Sequence, residues 1–383
     1  MKPKFLLITT VPQSLNFFKG QLQVLKSKFD IEVASSPGER LESFKENEKV
    51  KVHPIVIKRE ISLFSDIKSL FKLYLLITKI NPVIVHGNTP KGGLLSMLAS
   101  YFNNTPIRIY FLHGLRYEGT NGMKRKFLKV MESIACSCAT HIFSVSYGVK
   151  QTAIKDTLTN KEISIIGNGS INGIDTQLFN PDNISLPKIE GFDTENVSII
   201  FGYVGRLVGD KGTNELINAF CKVHEENPTI RLLIVGLFEE IQDPVTFDTK
   251  EKIKTHPGIV HVGYQKDVKP FLKLMDVFVF PSYREGFGIV LMEAAAMRTP
   301  AIASNISGCN EIVKSGHNGL LIAPRKTQEV INGLQFFIQN PDKIKEMGAQ
   351  ARAFIQAKYE QKQVWANSLD AYVSIYHDFQ SKK

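Results

Sequence analysis

Short apolar runs alternate with longer amphipathic stretches along the first half of this chain. Such runs are typical of buried strands, whereas apolar residues recurring every three or four positions predict helices. The runs predict strands over 4–10, 31–34, 52–57, 83–86, 107–112, 141–145 and 163–166. Helical spacing predicts helices over 15–28, 63–80, 92–102 and 123–139. This alternation predicts a parallel, doubly wound α/β sheet with helices on both faces.

A second α/β series follows residues 177–197, which are rich in Pro, Asn, Asp and Gly and read as an interdomain linker. Its predicted strands are 198–205, 231–236, 260–263, 277–280, 301–304 and 320–322. Its predicted helices are 213–226, 267–275, 289–297, 310–315 and 327–340. Residues 341–380 have the apolar spacing of an amphipathic helical stretch. We therefore expect two domains, over 1–180 and 181–357.

Composition adds a charge asymmetry to this picture. The 383 residues are 43% hydrophobic and 22% charged, as in an ordinary soluble globular protein. The net charge is +10, but residues 1–180 contain 24 lysines and arginines against 13 acids. A basic first half indicates an anionic partner such as a nucleic acid, a phospholipid surface or a phosphorylated substrate. Charge that only keeps the domain soluble is the alternative.

The four cysteines, Cys136, Cys138, Cys221 and Cys309, have neither metal-site nor disulfide spacing. The N-terminal apolar run is too short for a signal peptide, and no apolar run is long enough to span a membrane. These features predict a reducing, cytoplasmic setting.

The segment 278–300, FVFPSYREGFGIVLMEAAAMRTP, places a glycine-containing loop between a strand and a helix. Ligands of open α/β sheets bind at the carboxyl ends of strands, and helix N-termini suit phosphate. Glu285 lies in this loop, and Glu293 lies among apolar neighbours on the helix. Both are candidate ligand contacts; alternatively, they are a dipole-stabilising acid and a solvated helix residue.

Arg206 and Lys211 bracket another strand end, in FGYVGRLVGDKG. Two cations beside a helix start suit a diphosphate. Two solvated loop cations would give the same sequence pattern and are the alternative. The spacing is not that of a P-loop, and Gly236 lacks the further glycine that a dinucleotide loop needs.

In the first half, His113 follows the predicted strand 107–112 and therefore faces the ligand-binding edge. A structural histidine is the alternative. Asn88, Thr89 and Lys91 follow another strand and could contact a sugar hydroxyl or a phosphate, or could simply cap the next helix.

The strings GRLVGDKG and REGFGIVLMEAAA, with seven residues between Glu285 and Glu293, resemble the signature of retaining glycosyltransferases of family 4. The resemblance covers essentially the whole chain. It implies the GT-B fold, with two Rossmann-like domains facing a cleft and a final helix, about 358–383, that crosses back to the first domain. It implies that Glu285 contacts the donor sugar, Glu293 the ribose, and Arg206 and Lys211 the diphosphate, with His113 at the reaction centre. Further implied donor contacts are Gly205, Tyr264, Gly286, Phe287, Gly288 and Ile289.

The first loop departs from the family pattern, because Ser14 and Leu15 stand where many members have two glycines. The resemblance still implies that their backbone N–H groups contact the donor. This variant looks most like the bacterial capsule and glycan-assembly branch, whose members extend sugars on a polyprenyl-diphosphate carrier. The resemblance implies a nucleotide-sugar donor, UDP-linked, and an acceptor near Asn88, Thr89, Lys91 and Arg116. We expect neither a cofactor nor a metal, because an Asp-x-Asp motif is absent and cations can stabilise the leaving charge instead. A nucleic-acid partner is not expected.

Two other functions stay open: a sugar-nucleotide 2-epimerase of the same fold, and a sugar-nucleotide-binding protein without turnover. A lipid-linked acceptor would bring the basic domain to an anionic membrane surface on the inner face of the plasma membrane. The cations expected there are Lys58, Arg59, Lys68, Lys72, Lys124, Arg125, Lys126 and Lys129, with Phe64 and Phe71 nearby.

Overall fold

The computed structural model describes residues 2–192 and 195–382. The chain divides into two compact units. Unit one comprises Met1–Gly173 and Gln361–Lys383, and unit two comprises Ile174–Glu360. The sequence-based boundary after residue 180 therefore lies inside unit two.

In unit one, the described strands are β1 (Lys4–Ile8), β2 (Asp30–Ser35), β3 (Lys51–Pro54), β4 (Ile84–Asn88), β5 (Ile107–Leu112), β6 (His141–Ser144) and β7 (Ile163–Ser164). The helices are α1 (Gln21–Leu25), α2 (Glu39–Glu48), α3 (Leu63–Ile80), α4 (Pro90–Phe102), α5 (Gly122–Cys138) and α6 (Tyr147–Lys155). The strands pair in parallel in the order β3-β2-β1-β4-β5-β6-β7. The strand order reverses between β1 and β4, the point at which doubly wound sheets bind ligands.

Unit two repeats this plan. Its described strands are β8 (Ile200–Val204), β9 (Arg231–Val235), β10 (Ile259–His261), β11 (Val277–Phe280), β12 (Ala301–Ser304) and β13 (Gly319–Ile322). Its helices are α7 (Thr213–Glu226), α8 (Phe247–Thr255), α9 (Lys269–Leu274), α10 (Ile289–Ala296), α11 (Thr327–Gln339) and α12 (Asp342–Tyr359). The parallel order is β10-β9-β8-β11-β12-β13, so the reversal lies between β8 and β11.

The predicted C-terminal helical stretch is two helices, because the backbone leaves helical geometry at Glu360. α12 packs against α10 in unit two. The last helix, α13 (Gln361–Gln380), belongs to unit one. There the Trp365 indole N–H donates to Asn172 Oδ1 over 2.6 Å, and the Tyr372 side chain is fully buried.

The predicted helix over 15–28 is wrong as a continuous element. The structure has a 3-10 segment, Pro12–Phe18, and then the short α1. Gly20 separates them at φ +78°, and a Cβ on this residue would lie 2.6 Å from the Trp365 ring. The close approach of α13 therefore requires glycine here and ends the helix.

The predicted helix over 310–315 is also wrong, because residues 307–312 form turns. The buried Asn318 side chain accepts from the Lys314 N–H at 2.6 Å and donates to Ile312 O at 2.9 Å. These side-chain bonds replace the backbone ladder that a helix would need. Helices α2, α6 and α8 were not predicted.

Within residues 2–192 and 195–382, no helix combines the length and the apolar character needed to cross a membrane.

Candidate functional site

The candidate site in unit two lies where β8 and β11 end, on either side of the strand-order reversal. Hydrogen bonds join the β8 loop (205–212) to the β11 loop (281–288). The Tyr283 N–H donates to Asp210 O at 2.8 Å, and Arg284 donates to Asp210 Oδ2 at 2.8 and 3.1 Å. Two segments far apart in sequence therefore form one rigid surface beside the start of α7.

Gly212 allows this close approach. Its φ of +70° lies in the left-handed region, and a Cβ there would be 2.1 Å from Pro281 O. Only glycine meets both conditions without displacing the backbone.

Lys211 and Glu285, predicted to contact diphosphate and sugar respectively, form an ion pair. Ser282 Oγ donates to the same Glu285 Oε1 at 3.1 Å, and Lys211 Nζ lies 5.4 Å from the centre of the Phe280 ring. The two side chains are only 20% and 14% exposed. Lys211 is therefore not a solvated loop cation, which was the alternative left open by its sequence.

Arg206 has a different setting. Its side chain is 57% exposed, and its Nη1 is 3.9 Å from Glu239 Oε2, a loose pairing. The buried Tyr203 hydroxyl donates to Arg206 O at 2.8 Å and fixes the backbone, not the guanidinium. The charged group is consequently available to a ligand at the strand end.

Glu293 lies in the second turn of α10 and is half-buried. Burial raises the pKa of its carboxyl to about 7, and Lys269 opposes this shift. A carboxyl with a pKa near 7 is unusual for a structural helix residue and more typical of a functional position.

Some backbone N–H groups of the β11 loop that were predicted to contact the donor instead donate to carbonyls within the protein. The Gly288 N–H donates to Gly308 O at 3.1 Å, and the Ile289 N–H donates to Phe287 O at 2.9 Å. The Phe287 side chain is buried against the Tyr359 ring. A backbone contact to a ligand therefore falls to the N–H groups of Gly286 and Phe287, in place of those predicted at Gly288 and Ile289.

Two other predicted donor contacts lie on neighbouring loops. The Tyr264 side chain is 67% exposed. The Gly205 N–H donates to Val235 O at 3.0 Å and is already used. The structure thus leaves the Tyr264 side chain, but not the Gly205 N–H, for ligand contact.

In unit one, the loops after β1 and β4 meet at the strand-order reversal. Thr10 Oγ1 and Thr89 Oγ1 are 2.6 Å apart, and the Thr89 backbone has φ +65°. The Ser14 N–H donates to Val11 O at 3.1 Å, and the Leu15 side chain is buried. The direct contacts predicted for Thr89 and for the Ser14 N–H are therefore replaced by contacts within the unit.

His113 is the end of a buried hydrogen-bonded chain. Its Nε2 is 2.8 Å from Asn88 Oδ1, the Asn88 Nδ2 is 2.8 Å from His86 Nδ1, and His86 Nε2 is 2.9 Å from the Tyr372 hydroxyl. Asn88 and His86 have no exposed surface. Of the two roles that the sequence left open for Asn88, a sugar contact and a helix cap, the buried side chain takes neither and positions His113 instead.

The amide orientation of Asn88 determines the tautomers of both imidazoles. Its Nδ2 also approaches the carbonyls of Ile8 and His86, which need a donor. Asn88 Oδ1 must then accept the Nε2–H of His113, leaving a lone pair on His113 Nδ1. Burial lowers the pKa of His113 to about 3, so this acceptor nitrogen stays neutral near pH 7. Sequence reasoning missed His86 and Tyr372, because nothing in either string signals their contact.

The two cations predicted on the acceptor side differ. Lys91 Nζ is 2.8 Å from Asp66 Oδ1 and is 12% exposed, so its charge is largely compensated. Arg116 is exposed and donates from Nη1 to Arg59 O at 3.3 Å. Arg116 is therefore the better placed of the two to meet an anion.

In the part of the chain that the structure describes, no group of three His, Cys, Asp or Glu side chains has the geometry to hold a metal ion.

Two protein-family models match this chain: Glycosyl transferases group 1 over residues 188–354, and Glycosyl transferase 4-like over residues 12–146. A Staphylococcus aureus protein, capsular polysaccharide biosynthesis glycosyltransferase CapM, is 34% identical over 360 residues, covering 94% of this chain and 93% of that protein. The Escherichia coli UDP-Gal:alpha-D-GlcNAc-diphosphoundecaprenol alpha-1,3-galactosyltransferase is 32% identical over 284 residues, covering 72% and 71%.

Solved structures share the fold. Anabaena Alr3699/HepE, in complex with UDP and glucose, superposes with a TM-score of 0.78 at 18% identity, covering 97% of this chain and 100% of that one. Sucrose-phosphate synthase from Thermosynechococcus elongatus gives 0.77 at 17% identity, covering 99% and 100%.

Proposed function

Because this chain belongs to the family 4 glycosyltransferases, which have the GT-B fold, we propose that it transfers a sugar from a UDP-linked donor to a lipid-diphosphate-linked glycan with retention of configuration. The sugar is a hexose or N-acetylhexosamine, and the pathway builds a surface polysaccharide. The observation that supports this best is the meeting of Lys211 and Glu285 at the strand-order reversal of unit two. The names of the S. aureus and E. coli relatives support the pathway and the acceptor class.

The donor diphosphate binds the exposed Arg206 and displaces Lys211 from Glu285. Lys211 then faces phosphate oxygens, and the freed Glu285 carboxylate faces the sugar. Glu293 accepts hydrogen bonds from the ribose hydroxyls. Exchanging one anionic partner of Lys211 for another keeps its charge paired throughout, which avoids the penalty of an unpaired, poorly solvated ion.

In the transfer step, the acceptor hydroxyl oxygen bonds to the anomeric carbon while the bond from that carbon to the β-phosphate oxygen breaks. The acceptor proton passes to the departing phosphate oxygen on the same face, so the products are glycosylated acceptor and UDP. Arg206 and Lys211 stabilise the charge that develops on the diphosphate, as preorganised donors do elsewhere. Turnover on this scheme needs no divalent metal, and we expect it to persist in EDTA.

The acceptor's lipid brings unit one to an anionic membrane. Helices α3 and α5 both pack against α4, and together they expose an apolar and basic surface. This α3–α5 surface comprises Leu63, Phe64, Ile67, Phe71, Met123, Phe127 and Val130, with the exposed cations Lys68, Lys72, Lys124 and Lys126. Apolar side chains among lysines are typical of helices that lie in a membrane interface. The protein would then be peripheral on the inner face of the plasma membrane.

Two cations expected at that membrane are already engaged within unit one. Lys129 Nζ is 3.1 Å from Asp156 Oδ1, and Arg125 lies over the Tyr117 ring. They are therefore left out of the α3–α5 surface.

Vesicle co-sedimentation tests this association. We expect binding to anionic vesicles at low salt, weakened by added salt, and little binding to neutral vesicles. Phe64→Ser should reduce it, because Phe64 is 92% exposed. Phe247→Ser is the matched control, since Phe247 is 79% exposed but lies in unit two. Equal binding of the two variants would refute the membrane role of the α3–α5 surface.

The transferase proposal is tested by incubating the protein with UDP-sugars, with and without a lipid-diphosphate-linked glycan. UDP released only when the acceptor is present, together with a product of unchanged anomeric configuration, is expected. A new sugar epimer formed without acceptor would make the protein an epimerase, and binding without turnover would make it a sugar-nucleotide-binding protein.

A further inference from the structure

Unit one contains a mainly apolar cavity of about 150 Å³ between the start of α3, the N-terminal part of α4 and α5. Its apolar walls include Leu63, Leu94, Phe127 and Met131. A cavity of this volume admits a hydrocarbon of about six carbons. One isoprene unit, with its five carbons, matches that capacity.

Charged side chains also line the cavity. Lys91 pairs with Asp66, whose Oδ2 also accepts from the Ser62 N–H at 3.1 Å. Both oxygens of Asp66 are therefore occupied and its charge is compensated. Arg116 uses one guanidinium nitrogen on a backbone carbonyl and keeps further donors for an anion.

The one further acid in the wall, Glu132, is already satisfied. Glu132 is only 5% exposed, and its Oε2 accepts a hydrogen bond from the Tyr110 hydroxyl at 2.5 Å. Burial raises the pKa of this carboxyl to about 7. The cavity wall thus does not require a cationic ligand.

The cavity opens towards the α3–α5 surface, because Leu63 and Phe127 belong to both. These two side chains are 71% and 42% exposed. A lipid chain leaving a membrane at that surface would meet this cavity wall, which also contains Arg116.

We propose that this cavity binds the isoprene unit next to the phosphate of the lipid-linked acceptor, with Arg116 contacting the phosphate. The inference rests on the proposed function, since it assigns a lipid site to that function's acceptor. The cavity adds chain recognition that a surface cation alone cannot supply.

Binding of farnesyl diphosphate and of inorganic diphosphate, measured calorimetrically, tests the site without any turnover. Met131→Trp fills the cavity, whereas Ile154→Trp adds the same side chain on α6 of the same unit, at a residue that is 53% exposed and lies outside the α3–α5 surface. We expect Met131→Trp to weaken farnesyl diphosphate binding by roughly tenfold or more, from the buried apolar area lost. Ile154→Trp should leave it unchanged, and neither variant should alter inorganic diphosphate binding.

The cavity assignment is overturned if Met131→Trp binds farnesyl diphosphate as the native protein does, or if inorganic diphosphate binds equally well. Weakening by both variants alike would mean that the loss does not come from filling the cavity, and would overturn the assignment as well. Circular dichroism melts of both variants check the fold. Native protein that binds the probe through Met131 but transfers no sugar refutes the proposed function and leaves the cavity assignment standing.

Discussion

Replacing Glu293 by Gln removes a carboxyl that is half-buried in α10. Burial raises its pKa from 4.5 to about 7. The folded protein therefore holds this proton more tightly than the unfolded chain does. Between these two pH values the folded state binds more protons, so the free energy of unfolding falls as pH rises through this range.

The magnitude follows from the shift. One pKa unit corresponds to about 1.4 kcal/mol, so this acid lowers the free energy of unfolding above pH 7 by at most about 3.5 kcal/mol. Glutamine has nearly the same shape and no charge, and Glu293→Gln removes that cost. We expect the variant to exceed the native protein in stability at pH 8 by about 1–3 kcal/mol and to match it near pH 4.5.

The folded protein without ligand favours the protonated carboxyl of Glu293, whereas ligand binding favours the ionised one. Ribose hydroxyls that donate to Glu293 favour the carboxylate, so UDP affinity should rise with pH towards about 8 and then level off. In Glu293→Gln the affinity should be lower and independent of this titration. With substrate, the variant should mainly raise KM for the donor, because a ribose contact is similar in the ground and transition states.

Urea unfolding followed by circular dichroism at pH 5 and 8 measures the first effect, and calorimetric titration with UDP measures the second. Glu226→Gln is the control, because Glu226 is an exposed acid on α7 of the same unit. A variant no more stable than native protein at pH 8 would refute the burial argument. Native UDP affinity that does not change between pH 5 and 8 would refute the ribose contact.

Three further substitutions test the remaining roles. Arg206→Ala should lower kcat by roughly 10²-fold while changing the free energy of unfolding by less than about 1 kcal/mol, since this side chain is exposed; unchanged turnover would remove Arg206 from the diphosphate site. Glu285→Gln should mainly lower kcat and, by leaving the poorly exposed Lys211 without its ion-pair partner, cost about 1–3 kcal/mol of stability; an effect confined to KM would mean that the roles of the two acids are exchanged. Asn88→Asp puts a carboxylate beside His113 and should raise the imidazole pKa, so that kcat at saturating donor falls on the acid side; a kcat–pH profile that superposes on the native one would contradict a role in turnover for the contact between His113 and residue 88.

The sequence by itself determined the two sheets. β5, β11 and β12 have the predicted bounds, because parallel strands covered on both faces are continuous apolar runs. α3 and α7 also have theirs, since each has an apolar face at helical spacing. The family resemblance added an activity class that the relatives and family models support.

Helices with a weak apolar face were the failures of prediction. α2, ERLESFKENE, buries only Leu41, Phe44 and Glu48, so its spacing gave no clear signal. The break at Gly20 likewise depends on Trp365, a residue of the distant α13. Local spacing describes one face of a segment and contains no information about what approaches it.

Only the tertiary structure decided the partners of the candidate site residues. Lys211 and Glu285 were separate ligands in the sequence, but the fold makes them an ion pair across two loops. From the sequence, Asn88 was a candidate for a sugar contact or a helix cap, but the fold buries it between His86 and His113. The residue types of the candidate site could be predicted from the sequence, because the ends of the strands could be predicted. Their pairing could not, because it depends on which strands are neighbours in the sheet and on how closely glycine lets their loops approach.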